Sequence, residues 1–306
     1  MFRVLAGVLA LCAAVVATVF GQAPAAEPVL MPQWSLATGF AAPESAFYDA
    51  ASNAVFVSSI NGEVLAKDGN GYISWLTPMG TVVSEKWVTG LNAPKGLRSA
   101  RGVLYVADID EVVGIEISST KVVSRVKIEG ASFLNDLATA PDGTVYVSDS
   151  AALKIFEVRN GKASVFVEGA DVVEQPNGLL VDGARLILGT IGPAPQPGAA
   201  GRAGGAAPAS GHLYAFDLKT KHRTQLTTQP VGGIDGIEPD GRGGLLVTDV
   251  IGQRLLHVNK GGDVHVLAKF SAGGADFGYV AKHRLAVVPF LFDNSVAAYD
   301  LTAALK

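Results

Sequence analysis

One short unit recurs six times along this chain, and the recurrence narrows the possible folds more than any other property. The clearest pair is residues 37–44 (ATGFAAPE) against residues 88–95 (VTGLNAPK), where six of eight positions are identical or similar. Glu44 and Lys95 are therefore equivalent positions. The other copies keep one plan: a polar lead residue opens an apolar strand, a turn follows, and a second apolar strand returns. Asn135 leads to Asp142-Gly143 and residues 145–149, and Asn177 leads to Asp182-Gly183 and residues 186–190. Asp235 leads to Asp240-Gly241 and residues 245–249, and Asp276 leads to Lys282-His283 and residues 285–289. In the first two copies the second strand falls at 55–59 and 104–108. Asp-Gly between short apolar segments signals a hairpin, because both residues tolerate positive φ.

The lead residues are spaced by 51 (44 to 95), 40 (95 to 135), 42 (135 to 177), 58 (177 to 235) and 41 (235 to 276). The long step contains residues 192–210, GPAPQPGAAGRAGGAAPAS, a low-complexity loop too poor in apolar bulk to pack. Third strands are expected at 153–158, 212–217, 254–258 and 295–300, and fourth strands at 163–167 and 264–268. Four short strands every ~40–45 residues is the repeat length of a β-propeller blade. Six blades close into a ring that leaves only short, protected edges. The last copy has three strands and ends near Leu301, whereas residues 33–38 stand where a fourth strand would precede Glu44. The predicted fold is thus all-β, a six-bladed propeller of four-stranded blades over residues 26–306, closed by an N-terminal strand. A β-sandwich or an open solenoid would leave that closing strand and the in-phase copies without a role.

Composition bounds the function. With 49% hydrophobic and 17% charged residues the chain can bury a sizeable core. A net charge of −4 gives no electrostatic footprint for nucleic acid. Residues 1–25 are a different object: Arg3, an apolar run from Val4 to Phe20, then small residues at Gly21, Ala23 and Ala25. This is the pattern of a secretory signal peptide, which predicts an exported, periplasmic or secreted protein with no membrane attachment after cleavage. The single cysteine, Cys12, falls inside that segment, so the exported chain is expected to use neither disulfides nor thiol chemistry.

The first strand of a propeller blade lines the central channel, and its opening residue projects into one mouth. The six lead residues are Glu44, Lys95, Asn135, Asn177, Asp235 and Asp276. Carboxylates and amide carbonyls are hard oxygen donors, the set that Ca²⁺ or a similar cation requires. Without a cation, three carboxylates against one lysine crowd a net charge of about −2 on one axis and raise the carboxyl pKa values.

At these positions the sequence resembles the gluconolactonase/senescence-marker-protein-30 family of six-bladed propellers. The resemblance spans nearly all of residues 26–306 and is carried by Pro43-Glu44-Ser45, Asn135-Asp136, Pro176-Asn177-Gly178-Leu179 and Ile234-Asp235-Gly236. It implies that Glu44, Asn177 and Asp235 hold one divalent cation, Ca²⁺ foremost with Zn²⁺, Mn²⁺ or Mg²⁺ as substitutes. It implies that Asn135 lies beside the metal and contacts substrate, and that Asp235 is the general base. The implied reaction is hydrolysis of a small-molecule lactone or related ester. Two departures stand out. Phe133 occupies the place where sugar-lactonase members usually carry a substrate-binding arginine, which points to a more apolar substrate. Lys95 either weakens the cation site or stands in for that arginine toward substrate. The competing expectation is a non-catalytic propeller that binds a small ligand or protein at the channel mouth.

Other candidates read as structural. Asp108, Asp149 and Asp249 close second strands and are expected to bond neighbouring backbone. Asp276 reads as an outer group or as a partner for Lys95. Asn177-Gly178 and Asp235-Gly236 could be simple turns, except that each is followed by its own Asp-Gly turn. For Asn135, capping of backbone inside the channel is the competing role. The five histidines lack metal-ligand spacing. The serines lack a nucleophile-elbow context.

Overall fold

The computed structural model describes residues 28–193 and 210–305. The expected export signal and most of the low-complexity loop lie outside these residues. Six antiparallel four-stranded sheets follow one another. Blade 1 comprises Pro43–Asp49, Ala54–Ser59, Gly71–Leu76 and Val82–Leu91, and blade 2 Pro94–Ala100, Val103–Asp108, Glu111–Glu116 and Lys121–Lys127. Blade 3 comprises Leu134–Thr139, Val145–Asp149, Lys154–Arg159 and Lys162–Glu168. Blade 4 comprises Pro176–Asp182, Arg185–Thr190, Leu213–Asp217 and the short Arg223–Gln225. Blade 5 comprises Ile234–Pro239, Leu245–Asp249, Arg254–Val258 and Val264–Lys269. Blade 6 takes Gly278–Val280, Leu285–Phe290 and Ser295–Asp300 from the C-terminal end and Trp34–Leu36 from the N-terminal end. Among the described residues the helical content is one four-residue α-helix, Ala170–Val173, and two 3-10 turns.

The closing strand sits where the repeat predicts it. Trp34 pairs with Ala298 and Leu36 with Val296. The Trp34 indole N–H donates to the carbonyl of Pro78 at 3.2 Å, which ties the strand to the turn between the outer strands of blade 1. A second closure lies at the channel: the amide of Asp276 donates to the carbonyl of Glu44 at 3.1 Å and the amide of Ala46 to the carbonyl of Asp276 at 3.0 Å. The inner strands contact one another in ring order.

The hydrophobic pattern explains the packing. Second strands are sandwiched between neighbouring blades, so Ala54–Ser59 and Leu285–Phe290 are buried along their whole length. Fourth strands face solvent and alternate, as in Lys121–Lys127. The core accordingly has one apolar cluster between each adjacent pair of blades, with a smaller seventh cluster of Ile60, Ala93 and Ile109. The seam between blades 6 and 1, for example, sets Val55, Val57 and Leu76 against Val280, Leu285, Val287 and Val296. Each such side chain contributes roughly 1.5–3 kcal/mol by leaving water.

One mouth is defined by strand pairing. Pro43 faces Ser59, Pro94 faces Asp108, Leu134 faces Asp149, Pro176 faces Thr190 and Ile234 faces Asp249. The lead residues and the loops that leave the second strands therefore share one face of the ring.

Candidate functional site at the channel mouth

Five of the six inner strands open with a β-bulge that brackets the lead residue, whereas Gly278–Val280 of blade 6 pairs in unbroken register and Asp276 precedes it. Register slips between Pro43 and Ser45, Pro94 and Leu97, Leu134 and Leu137, Pro176 and Leu179, and Ile234 and Ile237. A bulge adds a residue to one strand and re-aims its side chain. Proline at the strand start suits three of these positions, since it has no N–H to give to the ladder. Asn177-Gly178 and Asp235-Gly236 are thus interior strand residues, not hairpin turns. Their glycines are required by close approach: a Cβ on Gly178 would lie 2.2 Å from the Asp235 carbonyl oxygen, and one on Gly236 would lie 2.8 Å from Phe277.

The backbone freed by the bulge is satisfied from the second strand. The Ser58 hydroxyl accepts from the amide of Ser45 at 2.9 Å. The Ser148 hydroxyl accepts from Asp136 N–H at 3.0 Å and donates to the carbonyl of Asn177 at 2.8 Å. The Thr248 hydroxyl does the same between Gly236 N–H and the Ala275 carbonyl. Asp108, Asp149 and Asp249 cap the segments that enter the inner strands: they accept from the amides of Asn92 and Ala93, of Ser132 and Phe133, and of Gly233. That is the backbone role expected of them.

All six lead side chains are buried, none more than 8% exposed, so the mouth is a narrow throat. Four of them present a side-chain oxygen with no hydrogen-bond partner: Glu44 Oε2, Asn135 Oδ1, Asn177 Oδ1 and Asp235 Oδ1. Every one is an acceptor. A buried acceptor left unpaired costs on the order of 1–3 kcal/mol, and more if charged. Asn135 spends its amide N–H on the Ser150 hydroxyl at 3.1 Å, which leaves its carbonyl oxygen free.

The electrostatics agree with a crowded acidic throat. Burial raises Glu44 well above the usual carboxylate range, and the charges of Asp235 and Asp276 add to it. Burial, with the charge of Asp276, pushes Asp235 up to about 8 against a partial correction from the Asn177 amide. Among the described residues no three His, Cys, Asp or Glu side chains gather as a metal cage. The candidate set instead mixes two carboxylates with two amide oxygens.

Lys95 is anchored by backbone carbonyls. Its ammonium donates to the carbonyls of Val64 and Ala93, each at 3.1 Å, and lies 4.7 Å from the centroid of the Phe133 ring. The two departures from the family pattern are thus one contact. Burial lowers the Lys95 pKa, while Glu44 and Asp108 act to raise it. Lys95 does not bond Glu44 Oε2, which stays unpaired.

Asp276 belongs to another partner than the one expected. Its carboxylate accepts from the Ser45 hydroxyl at 2.5 Å and from both terminal nitrogens of Arg98 at 3.0 and 3.2 Å. Arg98 also lies 3.9 Å from Asp136 and 3.8 Å from Glu238. Burial disfavours its charge, but Asp276, Asp136 and Glu238 outweigh that and raise its pKa. Burial pushes Glu238 up to about 7, with Arg98 opposing and Asp276 reinforcing. Asp136 is raised well above its usual range, first by burial and then by Asp276. Arg98, Asp136 and Glu238 form a second charged layer of the channel that the sequence reading missed. The one signal available was an arginine and a glutamate each three residues past a lead.

These features define a six-bladed β-propeller with an acid- and amide-lined channel mouth. No protein-family model matches the sequence, and no curated protein does. Similar solved structures include a gluconolactonase from Xanthomonas campestris (TM-score 0.60, 13% identity, covering 90% of this chain and 87% of that one). A structure of the nidogen/laminin complex matches with TM-score 0.61 and 16% identity over 78% of this chain and 89% of that one. A catalytically inactive virginiamycin B lyase from Staphylococcus aureus matches with TM-score 0.56 and 10% identity over 88% and 98%. At these identities the likeness establishes the fold, and the fold hosts unrelated activities.

Proposed function

We propose that this protein is an exported, cation-dependent hydrolase of lactones or related esters. The observation that carries the reading is the set of four buried, unpaired oxygens on Glu44, Asn135, Asn177 and Asp235. All four of these oxygens are acceptors, so their missing partner is a cation or a donor, and oxygen donors of this kind suit a hard divalent ion such as Ca²⁺. Held by Glu44, Asn177 and Asp235, such an ion would polarise the substrate carbonyl and favour the oxyanion formed on attack.

The residues themselves supply the rest. Asp235 takes a proton from the attacking water and returns it to the leaving alkoxide, so that water and ester give acid and alcohol. Asn135 Oδ1 accepts a bond from substrate beside the reacting centre. The narrow throat keeps bulk water from the site. A non-catalytic ligand-binding propeller is the second reading. Lys95 favours it, because its charge beside Glu44 already offsets part of the acidity a cation would neutralise.

Calorimetric titration of the metal-stripped protein with Ca²⁺, Zn²⁺ and Mn²⁺ tests the reading, with Asn177→Ala alongside. One site in the wild type, weakened on the order of 100-fold or more in the variant, is expected, together with ion-dependent lactone hydrolysis. No binding by the wild type would overturn it in favour of the second reading.

A further inference from the structure

One side of the mouth is apolar. Ile60, Ala93 and Ile109 are buried together and pack with Ala42 and Leu291 into a shelf across blades 6, 1 and 2. The shelf is pinned by backbone: Ile60 N–H donates to the Ala42 carbonyl at 3.1 Å and Asn61 N–H to the Ala41 carbonyl at 2.9 Å. The Ala42 amide donates to Asn294 Oδ1 at 2.7 Å, which brings the turn after blade 6's second strand onto the same surface. In the loops that leave the second strands of blades 6 and 1 on this face, Phe292 is 81% exposed and Leu65 52% exposed. Val64, 41% exposed, and Phe133 are linked toward the throat by Lys95, which contacts the carbonyl of the first and the ring of the second. In the same loop as Val64 and Leu65, Lys67 pairs with Asp110 at 2.7 Å, and Glu63, Asp68 and Asp293 are the other charges next to these residues in the chain. Scattered exposed apolar residues need no explanation, but a contiguous group on the rim of a site is a ligand surface.

Lys95 joins this surface to the throat. An ammonium has three protons. Two go to the carbonyls of Val64 and Ala93, and the remaining side faces the Phe133 ring. The lysine is therefore already engaged and offers no free charge to an anionic substituent. It fixes the 61–70 loop and Phe133 beside Glu44, which makes it a positioning residue.

We infer that Val64, Leu65, Phe133 and Phe292 hold the alkyl tail of the substrate, an alkyl-substituted lactone or ester and not a polyhydroxylated or anionic one. The inference rests on the hydrolase reading. The tail lies across the shelf while the carbonyl enters the throat.

The test is kcat/KM for a series of γ-lactones, from unsubstituted to nonyl-substituted, with gluconolactone alongside. The wild type is expected to improve with chain length by up to about fourfold per buried methylene. The Leu65→Ser/Phe292→Ser double variant is expected to flatten that slope, and Phe292→Leu to keep it. Lys95→Met should raise KM for the long-chain lactone more than for the unsubstituted one, a split that impaired folding alone would not produce. A flat slope in the wild type, or a preference for gluconolactone, overturns the inference. The matching γ-lactams, which resist hydrolysis, separate the two readings by calorimetry. Tail-dependent binding without turnover would retain the shelf and overturn the hydrolase; tail-independent behaviour in both assays would overturn the shelf.

Discussion

Glu44 and Asp235 are buried carboxylates, each with one oxygen unpaired, and the charge of one raises the proton affinity of the other. Asp235 sits at about 8 against an ordinary value of 3.8, and Glu238 at about 7 against 4.5. A carboxyl raised in the folded state binds its proton more tightly there than in the unfolded chain, so stability falls as pH rises between the two values. In metal-stripped protein the urea midpoint is expected to be highest near pH 4–5 and to decline steadily to pH 8. Added Ca²⁺ should recover it at pH 8, because the ion replaces the protons. A midpoint independent of pH would count against the crowded-carboxylate account. Asp235→Asn keeps the shape but loses the acid, so lactone turnover should fall by on the order of 10²–10⁴ in a steady-state assay. The same variant should flatten the pH dependence of the stripped protein.

The bulged inner strand is the element that builds the site. Its tolerance to mutation depends on what lies beside each glycine. A Cβ on Gly178 meets backbone of the neighbouring inner strand at 2.2 Å, which cannot move without shifting Asp235. Gly178→Ala is expected to cost on the order of 3 kcal/mol in denaturant melts and to abolish cation binding. Gly183 sits in the hairpin turn at φ 59° with open space around it, so Gly183→Ala should cost only about 1 kcal/mol. Ser148→Ala removes the hydroxyl that bridges Asp136 N–H and the Asn177 carbonyl. It should cost about 1–3 kcal/mol, since two buried backbone groups lose their partner.

At the scale of the ring, each blade packs only against its neighbours, so the molecule depends on its two ties. Arg98, on blade 2, reaches Asp136 of blade 3, Glu238 of blade 5 and Asp276 beside blade 6. Arg98→Met leaves the buried Asp136 and Asp276 and the partly buried Glu238 without their cation and is expected to destabilise by on the order of 3–5 kcal/mol at pH 8. The loss should shrink at pH 5, where Asp136 and Glu238, both raised, take up protons instead; equal losses at both pH values would refute the charge argument. The closing strand is the other tie. Removing residues up to Leu36 deletes the outer strand of blade 6 and the Trp34 bond to Pro78. The thermal midpoint should drop by roughly 10 °C, the scale of a few kcal/mol in a protein this size.

Periodicity is local, and so the sequence alone determined the number of blades, the phase of the lead residues and the strand that closes the ring. Apolar alternation and Asp-Gly turns act within a single hairpin, and counting them needs no tertiary information. The second charged layer was decided elsewhere. In an unbroken strand Lys95 would share a face with Leu97, and Asp235 with Ile237. The bulge adds one residue, sends Leu97 and Ile237 into the seams between blades, and turns Arg98 and Glu238 to the channel. A bulge is a relation between two strands, and no single strand's pattern records it. The partners of Asp276 and Lys95 are long-range in the same sense: Arg98 lies 178 residues from Asp276, and Val64 lies 31 residues from Lys95. Docking of blade 1 on blade 2 brings Val64 to Lys95, and closure of the ring brings Arg98 to Asp276, because its axis is where six distant inner strands meet.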